Sequence, residues 1–413
     1  MNRLMMLVLV FAVLLLVDVY FFQAVLAISK NWSPTWRQVV RVGFWVPTAV
    51  SFAALLWRQL ADPYAINANV RNWIITGVFA TYFSKLIGII FLLIDDIQRL
   101  VRWVAALFQK KAALPGTPIT RSQFLTQAAV VASAVPFGAM VYGIVSGAHD
   151  YRVRKVTVKL PNLPHAFDGI RLAQLSDIHS GSFFNKTAVK GGVEMVLKEK
   201  PDLIFFTGDL VNNESAEVKE YISVFDKLRA PLGVFSVTGN HDYGDYKSWS
   251  SQAAKQQNFK DLMEAHRLLG FDLLMNEHRF ITQGGSKLAI IGIENWGAGR
   301  FSKYGNLEQA YAGTNEAAVK LLLSHDPSHW DAQVRPTYKD IDVAFAGHTH
   351  GFQFGVEVGN FKWSPSQYAY KQWAGLYTEG KQHLYVNRGF GYLGYPGRVS
   401  MPPEITIMEL KRA

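Results

Sequence analysis

Four long apolar segments, separated by short loops with basic residues, constrain the fold of this chain most. They span residues 4–28, 39–57, 73–94 and 124–145. Each is close to the ~20 residues that a helix needs to cross the hydrocarbon core of a bilayer. A cleaved signal peptide would not explain four such segments. We therefore expect an N-terminal bundle of about four transmembrane helices in residues 1–148, and a separate domain in residues 149–413.

Two ionisable residues lie inside these segments, Asp18 in the first and Lys85 in the third. Such residues usually face the interior of a helix bundle and often pair. One hypothesis is that they form an ion pair between the first and third helices. The alternative, of nearly equal weight, is that each side chain reaches a membrane interface by itself.

Residues 97–111 follow the third segment and carry apolar residues at helical spacing, with basic residues on the other faces. This pattern predicts an amphipathic helix lying on a membrane surface. A solvated helix packed on the other spans is the alternative.

The basic residues of the loops predict an orientation. The third loop holds most of them, namely Arg99, Arg102, Lys110, Lys111 and Arg121, whereas the first holds Lys30 and Arg37 and the second holds only Arg58 and Arg71. Because short loops rich in Lys and Arg stay in the cytoplasm, both chain ends are expected outside it. Arg152, Arg154 and Lys155 oppose this orientation, but charges leading a large domain weigh less. We expect an integral protein of a bacterial inner or plasma membrane with an extracytoplasmic domain.

The net charge of +10 and the absence of cysteine limit the partners and ligands. The charge is explained by basic loops beside membrane spans. Nucleic acid is not expected as a stable partner, because no basic run interleaved with aromatics occurs in residues 149–413. Without cysteine the chain has neither disulfides nor thiolate metal ligands. The oligomeric state is left open by the sequence.

From Tyr151 onward, strand-like apolar runs alternate with helical patterns, which predicts an α/β layered domain. The expected strands are 153–160, 172–175, 203–206, 234–237, 288–293, 321–323 and 343–346, and the expected helices are 187–198, 216–228 and 259–269.

Five short clusters place Asp, Asn or His directly after these strand-like runs. They lie at 175–179, 207–210, 239–242, 324–326 and 347–351, and their ligand-type residues are Asp177, His179, Asp209, Asn240, His325, His348 and His350. Carboxylate, amide and imidazole groups in this number can hold two divalent cations side by side, which is the equipment of metal-assisted phosphate ester hydrolysis. Mixed nitrogen and oxygen ligands suit Mn, Fe or Zn better than Ca.

Three residues have expected roles within this set. Asp209, in the middle of the set, is the candidate ligand that bridges both cations. Asn240 offers a neutral oxygen, which limits negative charge facing the substrate. His241 follows Asn240 immediately and is better placed to bind the phosphate or to protonate the leaving oxygen. Asp177 and His179 can both bind the same cation only if the backbone turns sharply after the strand that precedes them.

The order Asp-x-His, Gly-Asp, Gly-Asn-His-Asp, His and Gly-His-x-His resembles the calcineurin-like metallophosphoesterase superfamily, over roughly residues 150–413. Residues 384–391, 396–398 and 402–405 are similar to a membrane-associated or exported bacterial branch of it. The resemblance implies a four-layer αββα sandwich with two packed sheets. It also implies that Asp177, His179, Asp209 and His350 hold one cation, and that Asp209, Asn240, His325 and His348 hold the other. His241 and Asn240 are then the catalytic residues.

Two positions depart from that branch: Phe352 stands where a second Gly is common, and Asn212 and Asn213 stand where an Asp often follows. Neither change removes a ligand, and both can reshape the substrate pocket. An aromatic-rich segment includes Trp363, Tyr368 and Tyr370. Its residues line a pocket, rest on the bilayer interface or, more commonly for such residues, simply pack in the core and loops.

We therefore expect a membrane-anchored phosphoesterase with two divalent metal ions that hydrolyses phosphate mono- or diesters with a metal-bound hydroxide. Placement beside a lipid bilayer favours a lipid or cell-envelope phosphate as substrate. The alternative is a non-catalytic, metal-stabilised scaffold of a membrane complex. A transporter or sensor with an attached enzyme is weaker, because the spans carry few charges.

Overall fold

The computed structural model describes residues 3–60, 68–108, 122–359 and 361–413. The chain divides into two compact units, Met1–Tyr142 and Gly143–Ala413. The division comes a few residues before the expected boundary at residue 148, which stays a prediction.

Four helices of the described part of the first 150 residues are long and apolar enough to cross a membrane. They are α1 (Arg3–Ile28), α2 (Pro34–Leu60), α3 (Ala68–Phe108) and α4 (Gln123–Val145). Only 11% of the most apolar 18-residue stretch of α1 is buried by other parts of the protein, and the same fraction is buried in α2. Helices that expose apolar side chains in this way are typical of membrane spans, where lipid covers them. The expectation of four apolar N-terminal helices is confirmed.

The third helix is longer than predicted. A separate amphipathic helix at 97–111 was expected, but α3 continues without a break from Ala68 to Phe108. Neither Gly nor Pro occurs between Asp95 and Phe108, so nothing in the sequence interrupts the helix there. At ~1.5 Å per residue a helix of this length exceeds the ~30 Å hydrocarbon core. Residues 109–111, with Lys110 and Lys111, and the loop residue Arg121 lie outside the described residues.

The hypothesised ion pair between the first and third helices is present. Lys85 Nζ contacts Asp18 Oδ1, and Tyr82 donates a hydrogen bond from its hydroxyl to Asp18 Oδ2 at 2.8 Å. Asp18 is fully buried and Lys85 is 8% exposed. The pair therefore joins α1 to α3 in the interior of the helical unit.

Two six-stranded sheets and a two-stranded ribbon form the framework of the described residues of the second unit. In chain order the strands are β1 (Arg152–Leu160), β2 (Arg171–Leu175), β3 (Leu203–Thr207), β4 (Val234–Val237), β5 (Asp272–Leu273), β6 (Glu277–Gln283), β7 (Ser286–Gly292), β8 (Val319–Leu323), β9 (Val343–Ala346), β10 (Val356–Val358), β11 (Phe361–Trp363), β12 (Gly375–Glu379), β13 (Gln382–Val386) and β14 (Glu404–Arg412). The α-helices are α5 (Lys186–Lys198), α6 (Ile222–Phe225), α7 (Gln252–Leu269), α8 (Leu307–Tyr311) and α9 (Arg335–Thr337).

The first sheet has the strand order β1-β14-β2-β3-β4-β5, and the second has β12-β13-β9-β8-β7-β6. Strands β2 to β5 run parallel to one another, as do β13, β9, β8 and β7. Parallel strands bring their carboxyl ends to one edge of a sheet, which is where open α/β sheets place ligands.

Three apolar clusters define the layers. One lies between the sheets, where the rings of Phe205 and Phe345 meet edge to face with centroids 5.1 Å apart. A second lies between the first sheet and α5, α6 and α7, and a third covers the outer face of the second sheet around Trp330. Helices therefore cover both outer faces of two packed sheets, and the expected αββα arrangement is confirmed.

Every strand expected from the sequence is present. The helix expected at 216–228 is instead a 3₁₀ helix, Ser215–Tyr221, followed by the short α6. The C-terminal strand β14 was not expected, and it lies between β1 and β2 in the first sheet.

Candidate metal centre

The ligand-type residues all follow parallel strands of the two sheets. Asp177, Asp209 and Asn240 lie just beyond β2, β3 and β4 of the first sheet. His325 follows β8, and His348 and His350 follow β9, in the second sheet. The two sheets therefore contribute oxygen and nitrogen donors from opposite sides of one buried centre.

Asp177, His179 and His350 form one group of possible metal ligands among the described residues. His350 Nε2 lies 3.1 Å from Asp177 Oδ1 and 3.0 Å from His179 Nε2. All three residues are buried, and their donor atoms lie within 4.8 Å of one another. Donors at this spacing can converge on a single cation.

Asp209, His325 and His348 form the other such group in the described part of the chain. Asp209 Oδ2 lies 3.1 Å from His325 Nε2, and His348 Nδ1 lies 3.3 Å from the same His325 nitrogen. Asp209 Oδ2 also lies 3.5 Å from His179 Nε2, which belongs to the first group. One carboxylate oxygen therefore stands between both groups, the position that a bridging ligand requires.

The ligand loops adopt a rare backbone conformation. Asp177, His179, Asp209, His348 and His350 have positive φ angles of 52°, 47°, 60°, 69° and 52°. This left-handed conformation costs non-glycine residues about 1–3 kcal/mol each and is found at functional sites. It supplies the sharp turn after β2 that allows Asp177 and His179 to face the same point.

Glycines of the motifs permit close approach of the loops. A Cβ at Gly239 would lie 2.2 Å from Asp209 Oδ1, and a Cβ at Gly347 would lie 1.9 Å from Ser176 Oγ. Both distances are far below van der Waals contact. Any larger residue at either position would displace a ligand loop.

Backbone carbonyls orient two of the imidazoles. His179 Nδ1 lies 3.2 Å from the carbonyl oxygen of Val211, and His325 Nδ1 lies 2.7 Å from that of Thr207. A hydrogen bond from Nδ1 to a carbonyl turns Nε2 toward the centre, where it can bind a cation in exchange for any proton that it carries.

The donor set fits divalent cations. His179 Nε2 faces His350 Nε2 at 3.0 Å, and Asn240 Oδ1 is buried without a hydrogen-bond partner among the described residues. A cation would be shared by the facing nitrogens and would satisfy the amide oxygen. The mixture of imidazole, carboxylate and amide donors is suited to Mn, Fe or Zn.

Electrostatics at the centre also favour cations. Burial by itself would raise the pKa of Asp209, but His325 and His241 hold it well below its ordinary value. Burial would lower the pKa of His325, yet the carboxylates of Asp209 and Asp177 raise it to about 10. The carboxylates thus keep their negative charge and attract positive charge into the centre.

His241 lies at the edge of the centre rather than inside it. Its backbone N–H donates to Asp209 Oδ1 at 2.9 Å, and its Nδ1 lies 2.7 Å from the carbonyl oxygen of Asn212. The ring is partly exposed and meets the His179 ring edge to face with centroids 5.0 Å apart. Its role in binding or protonating a substrate stays a prediction.

Asp242 is a positioning residue for which no role was predicted from the sequence. Its Oδ2 accepts hydrogen bonds from the backbone N–H groups of Asp209 and Gly239 at 2.9 and 2.8 Å, and its Oδ1 accepts one from Leu210 at 2.8 Å. Burial together with the charge of Asp209 raises its pKa to about 7. The sequence did contain a signal for Asp242: it is the last residue of Gly-Asn-His-Asp, directly after the candidate ligand Asn240 and the candidate acid His241.

Tyr370 was also without a predicted individual role. Its hydroxyl lies 2.6 Å from His348 Nε2, on the side of the ring away from His325. Tyr246 makes a similar contact, because Asn240 Nδ2 donates to its hydroxyl at 2.9 Å. Tyr370 belongs to the aromatic-rich segment noted in the sequence, and at least this member lines the centre.

Two family models match the chain. The model described as "Probable Calcineurin-like phosphoesterase, transmembrane domain" matches residues 2–148, and the model "Calcineurin-like phosphoesterase" matches residues 170–352. The second match contains all seven candidate ligands.

Curated relatives cover mainly the second unit. The uncharacterized metallophosphoesterase YkuE of Bacillus subtilis is 31% identical over 290 residues, which are 67% of this chain and 94% of that protein. A transmembrane protein with metallophosphoesterase domain from Danio rerio is 29% identical over 66% of this chain, but the match spans only 60% of that protein. Among solved structures, the sulfate thiohydrolase SoxB of Thermus thermophilus matches with a TM-score of 0.34 and 12% identity over 60% of this chain and 57% of that one, too low to support an argument.

Proposed function

Because this chain belongs to the calcineurin-like phosphoesterase family, we propose that it is a membrane-anchored hydrolase of phosphate mono- or diesters that uses two divalent cations. The observation that carries the proposal is the position of Asp209 Oδ2, 3.1 Å from His325 Nε2 and 3.5 Å from His179 Nε2. A single carboxylate oxygen shared by two groups of donors is suited to a dinuclear centre.

In this proposal Asp177, His179 and His350 hold one cation, His325, His348 and Asn240 hold the other, and Asp209 belongs to both. The cations, when bound, supply Lewis acidity that neutralises the phosphate and lowers the pKa of an attacking water. Mn, Zn and Fe are the candidates that the donor types favour.

The chain's own residues orient the ester and move the proton. His241 reaches the leaving oxygen from the open edge of the centre and gives it a proton, while its backbone N–H holds Asp209 Oδ1 at 2.9 Å. Asn240 is held through Nδ2 by Tyr246, and its neutral Oδ1, buried without a hydrogen-bond partner among the described residues, would be free to bind a cation. Together they keep the phosphoryl group in line with the attacking water.

The substrate is proposed to be a phosphate ester of a lipid or of the cell envelope. The support is placement, since four apolar helices precede the catalytic unit in the same chain.

The test uses the full-length protein in detergent or nanodiscs, stripped with a chelator and reloaded with Mn, Zn, Fe or Mg. Activity is measured on p-nitrophenyl phosphate and on bis-p-nitrophenyl phosphate. We expect turnover only after reloading. The Asp209→Ala variant should lose bound metal and activity together, whereas His165→Ala, at an exposed histidine outside the centre, should keep both.

The scaffold alternative has a distinct outcome. If the reloaded protein bound two cations per chain but cleaved neither ester with any of the four metals, the hydrolase proposal would be overturned in its favour. Loss of metal without loss of activity in Asp209→Ala would contradict the role of this carboxylate.

A further inference from the structure

The two-stranded ribbon formed by β10 and β11 has one apolar and one charged face. Its strands pair antiparallel, with Val356 opposite Trp363, Glu357 opposite Lys362 and Val358 opposite Phe361. Since opposed residues share a face and successive residues alternate, one face consists of Val356, Val358, Phe361 and Trp363. We call this the apolar ribbon face. The other face carries Glu357 and Lys362.

The charged face is the one attached to the domain. Glu357 Oε2 accepts from Arg154 at 2.6 Å, and Glu357 Oε1 lies 3.3 Å from Arg388 Nη2. Lys362 Nζ donates to the carbonyl oxygen of Ala374 at 2.6 Å. These contacts fix which face of the ribbon is turned inward.

Val356, Val358 and Phe361 of the apolar ribbon face are exposed, and Trp363 is half-buried. Val358 is 70% exposed and Phe361 is 61% exposed. Phe352 and Tyr368, shortly before and after the ribbon, are exposed as well. Single exposed apolar residues are common, but a ribbon whose charged side chains contact the domain while most of its apolar side chains face outward is the inverse of a soluble surface. Such a face needs an apolar occupant.

We propose that the apolar ribbon face docks into the interface of the bilayer that holds the four N-terminal helices. The contacts at the base of the ribbon support this occupant. Val399 donates its N–H to the carbonyl oxygen of Gln353 at 2.8 Å, and the neighbouring Arg398 donates its N–H to the carbonyl oxygen of Gly143 at 3.0 Å. Gly143 lies in the last turn of α4. The residues just before the ribbon are thus linked, through Val399 and Arg398, to Gly143, the residue of the second unit at which the chain leaves the fourth apolar helix.

The side chains suit a membrane interface rather than a protein core. Trp and Tyr prefer the headgroup level, where a ring can be buried while its polar atom stays hydrated. Trp363 and Tyr368 are adjacent, with Trp363 Nε1 3.4 Å from the Tyr368 hydroxyl. Phe361 and Val358, near the turn of the ribbon, would enter the bilayer more deeply than Trp363 and Tyr368.

The docked ribbon would also hold the candidate metal centre at the membrane surface. Ser364 Oγ donates to the carbonyl oxygen of Gly351 at 2.7 Å, and Ser366 Oγ donates to that of Thr349 at 3.3 Å. Thr349 and Gly351 flank the candidate ligand His350. This consequence for substrate access rests on the proposed function, whereas the docking itself does not.

The absence of cysteine makes a direct test possible. Val358→Cys and Phe361→Cys in the full chain are labelled with a nitroxide and reconstituted into vesicles of phosphatidylethanolamine and phosphatidylglycerol. The matched control is Gln283→Cys, at an exposed position beside the turn between β6 and β7. Collision with oxygen, which concentrates in lipid, is compared with collision with a water-soluble nickel chelate.

We expect the ratio of oxygen to nickel collisions at positions 358 and 361 to exceed that at position 283 several-fold. Equal ratios at all three positions would overturn the proposal. So would spin–spin broadening at position 358 that disappears on dilution with unlabelled protein, because the occupant would then be a second copy of the chain. Catalytic activity is not part of the readout, so failure of the docking and failure of the hydrolase proposal are distinguishable.

Discussion

His241 differs in its surroundings from three of the other four histidines of the centre. His179, His325 and His350 are buried among ligand-type side chains, whereas His241 is partly exposed and is held by the carbonyl oxygen of Asn212. A side chain placed in this way can act on a substrate without being needed to hold a cation. This difference gives a prediction that separates catalysis from metal binding.

The His241→Ala variant should keep its bound metal and lose kcat by about 10²–10⁴, the usual contribution of a positioned general acid. Metal content is measured by mass spectrometry of the purified protein and kcat with the ester that the wild type cleaves. His325→Ala serves as the contrast, since it should lose metal and rate together. Wild-type turnover by His241→Ala would refute the role.

At the scale of single residues, the sequence predicted which side chains offer ligand atoms better than it predicted which residues hold those side chains in position. The seven ligand-type residues were recognised because Asp, Asn and His after strand-like runs are chemically conspicuous. The structure brings six of them into two groups, and the ligand role of all seven stays a prediction. Asp242 received no role because its importance lies in accepting backbone N–H groups of a neighbouring loop. Such a contact depends on how two loops fold against each other.

In the helical unit, α1 and α3 are joined by the buried ion pair between Asp18 and Lys85. Removing one partner of such a pair leaves an uncompensated charge, which costs roughly 3–5 kcal/mol in buried sites. We therefore expect Asp18→Asn and Lys85→Met each to lower the midpoint of thermal inactivation of the protein in detergent. The double variant Asp18→Asn/Lys85→Met should be less harmful than the sum of the single changes, because neither charge is then left alone.

This double-mutant cycle is evaluated against a matched pair of surface changes. Arg267→Met and Glu264→Gln break an exposed ion pair in α7 and should leave stability nearly unchanged, because solvent screens this pair. Additive losses for Asp18 and Lys85 would show that the two helices are not coupled through this contact.

The packing of α7 on β4 predicts a dependence of stability on pH. His266 in α7 is fully buried, its Nδ1 lies 3.0 Å from Ser236 Oγ of β4, and burial lowers its pKa from 6.5 to about 3. Below pH 6.5 the unfolded chain binds a proton that the folded chain does not. The contribution of His266 to the free energy of unfolding is therefore complete above pH 6.5 and falls by at most about 1.4 kcal/mol per unit as the pH decreases towards 3.

The His266→Gln variant should lack this part of the pH dependence, which amounts to roughly 2 kcal/mol between pH 6.5 and 5. Tryptophan fluorescence during denaturant unfolding measures it in the full chain. The control is His165→Gln at an exposed histidine, which should keep the wild-type slope. An unchanged slope in His266→Gln would contradict burial of a neutral imidazole.

Element boundaries were the weaker part of the sequence prediction. The strands that precede the ligands were recognised because they are short, apolar and followed by turn residues. The break expected before residue 97 does not occur, since amphipathic periodicity does not reveal whether a helix continues from the one before it. The position of β14 between β1 and β2 depends on pairing over more than two hundred residues, which a local pattern does not encode.

At the scale of the whole molecule, the side of the membrane on which the second unit lies is still a prediction from loop charges. We expect Gln283→Cys in intact cells to react with a membrane-impermeant maleimide, because the positive-inside rule places the second unit outside the cytoplasm. Reaction only after the cells are permeabilised would reverse the orientation. The cysteine-free parent chain reports background labelling.

The sequence by itself determined that the chain has an apolar helical part and an α/β part that carries candidate metal ligands. Both conclusions depend on residue type and local periodicity, and these can be read directly from the order of residues in the chain. Only the tertiary structure decided that Asp209 stands between the two donor groups and that Asp242 holds its loop. It also decided that the charged side chains of the ribbon of β10 and β11 contact the domain. These features depend on contacts between residues far apart in the chain, and such contacts exist only when two sheets have packed and their loops have met.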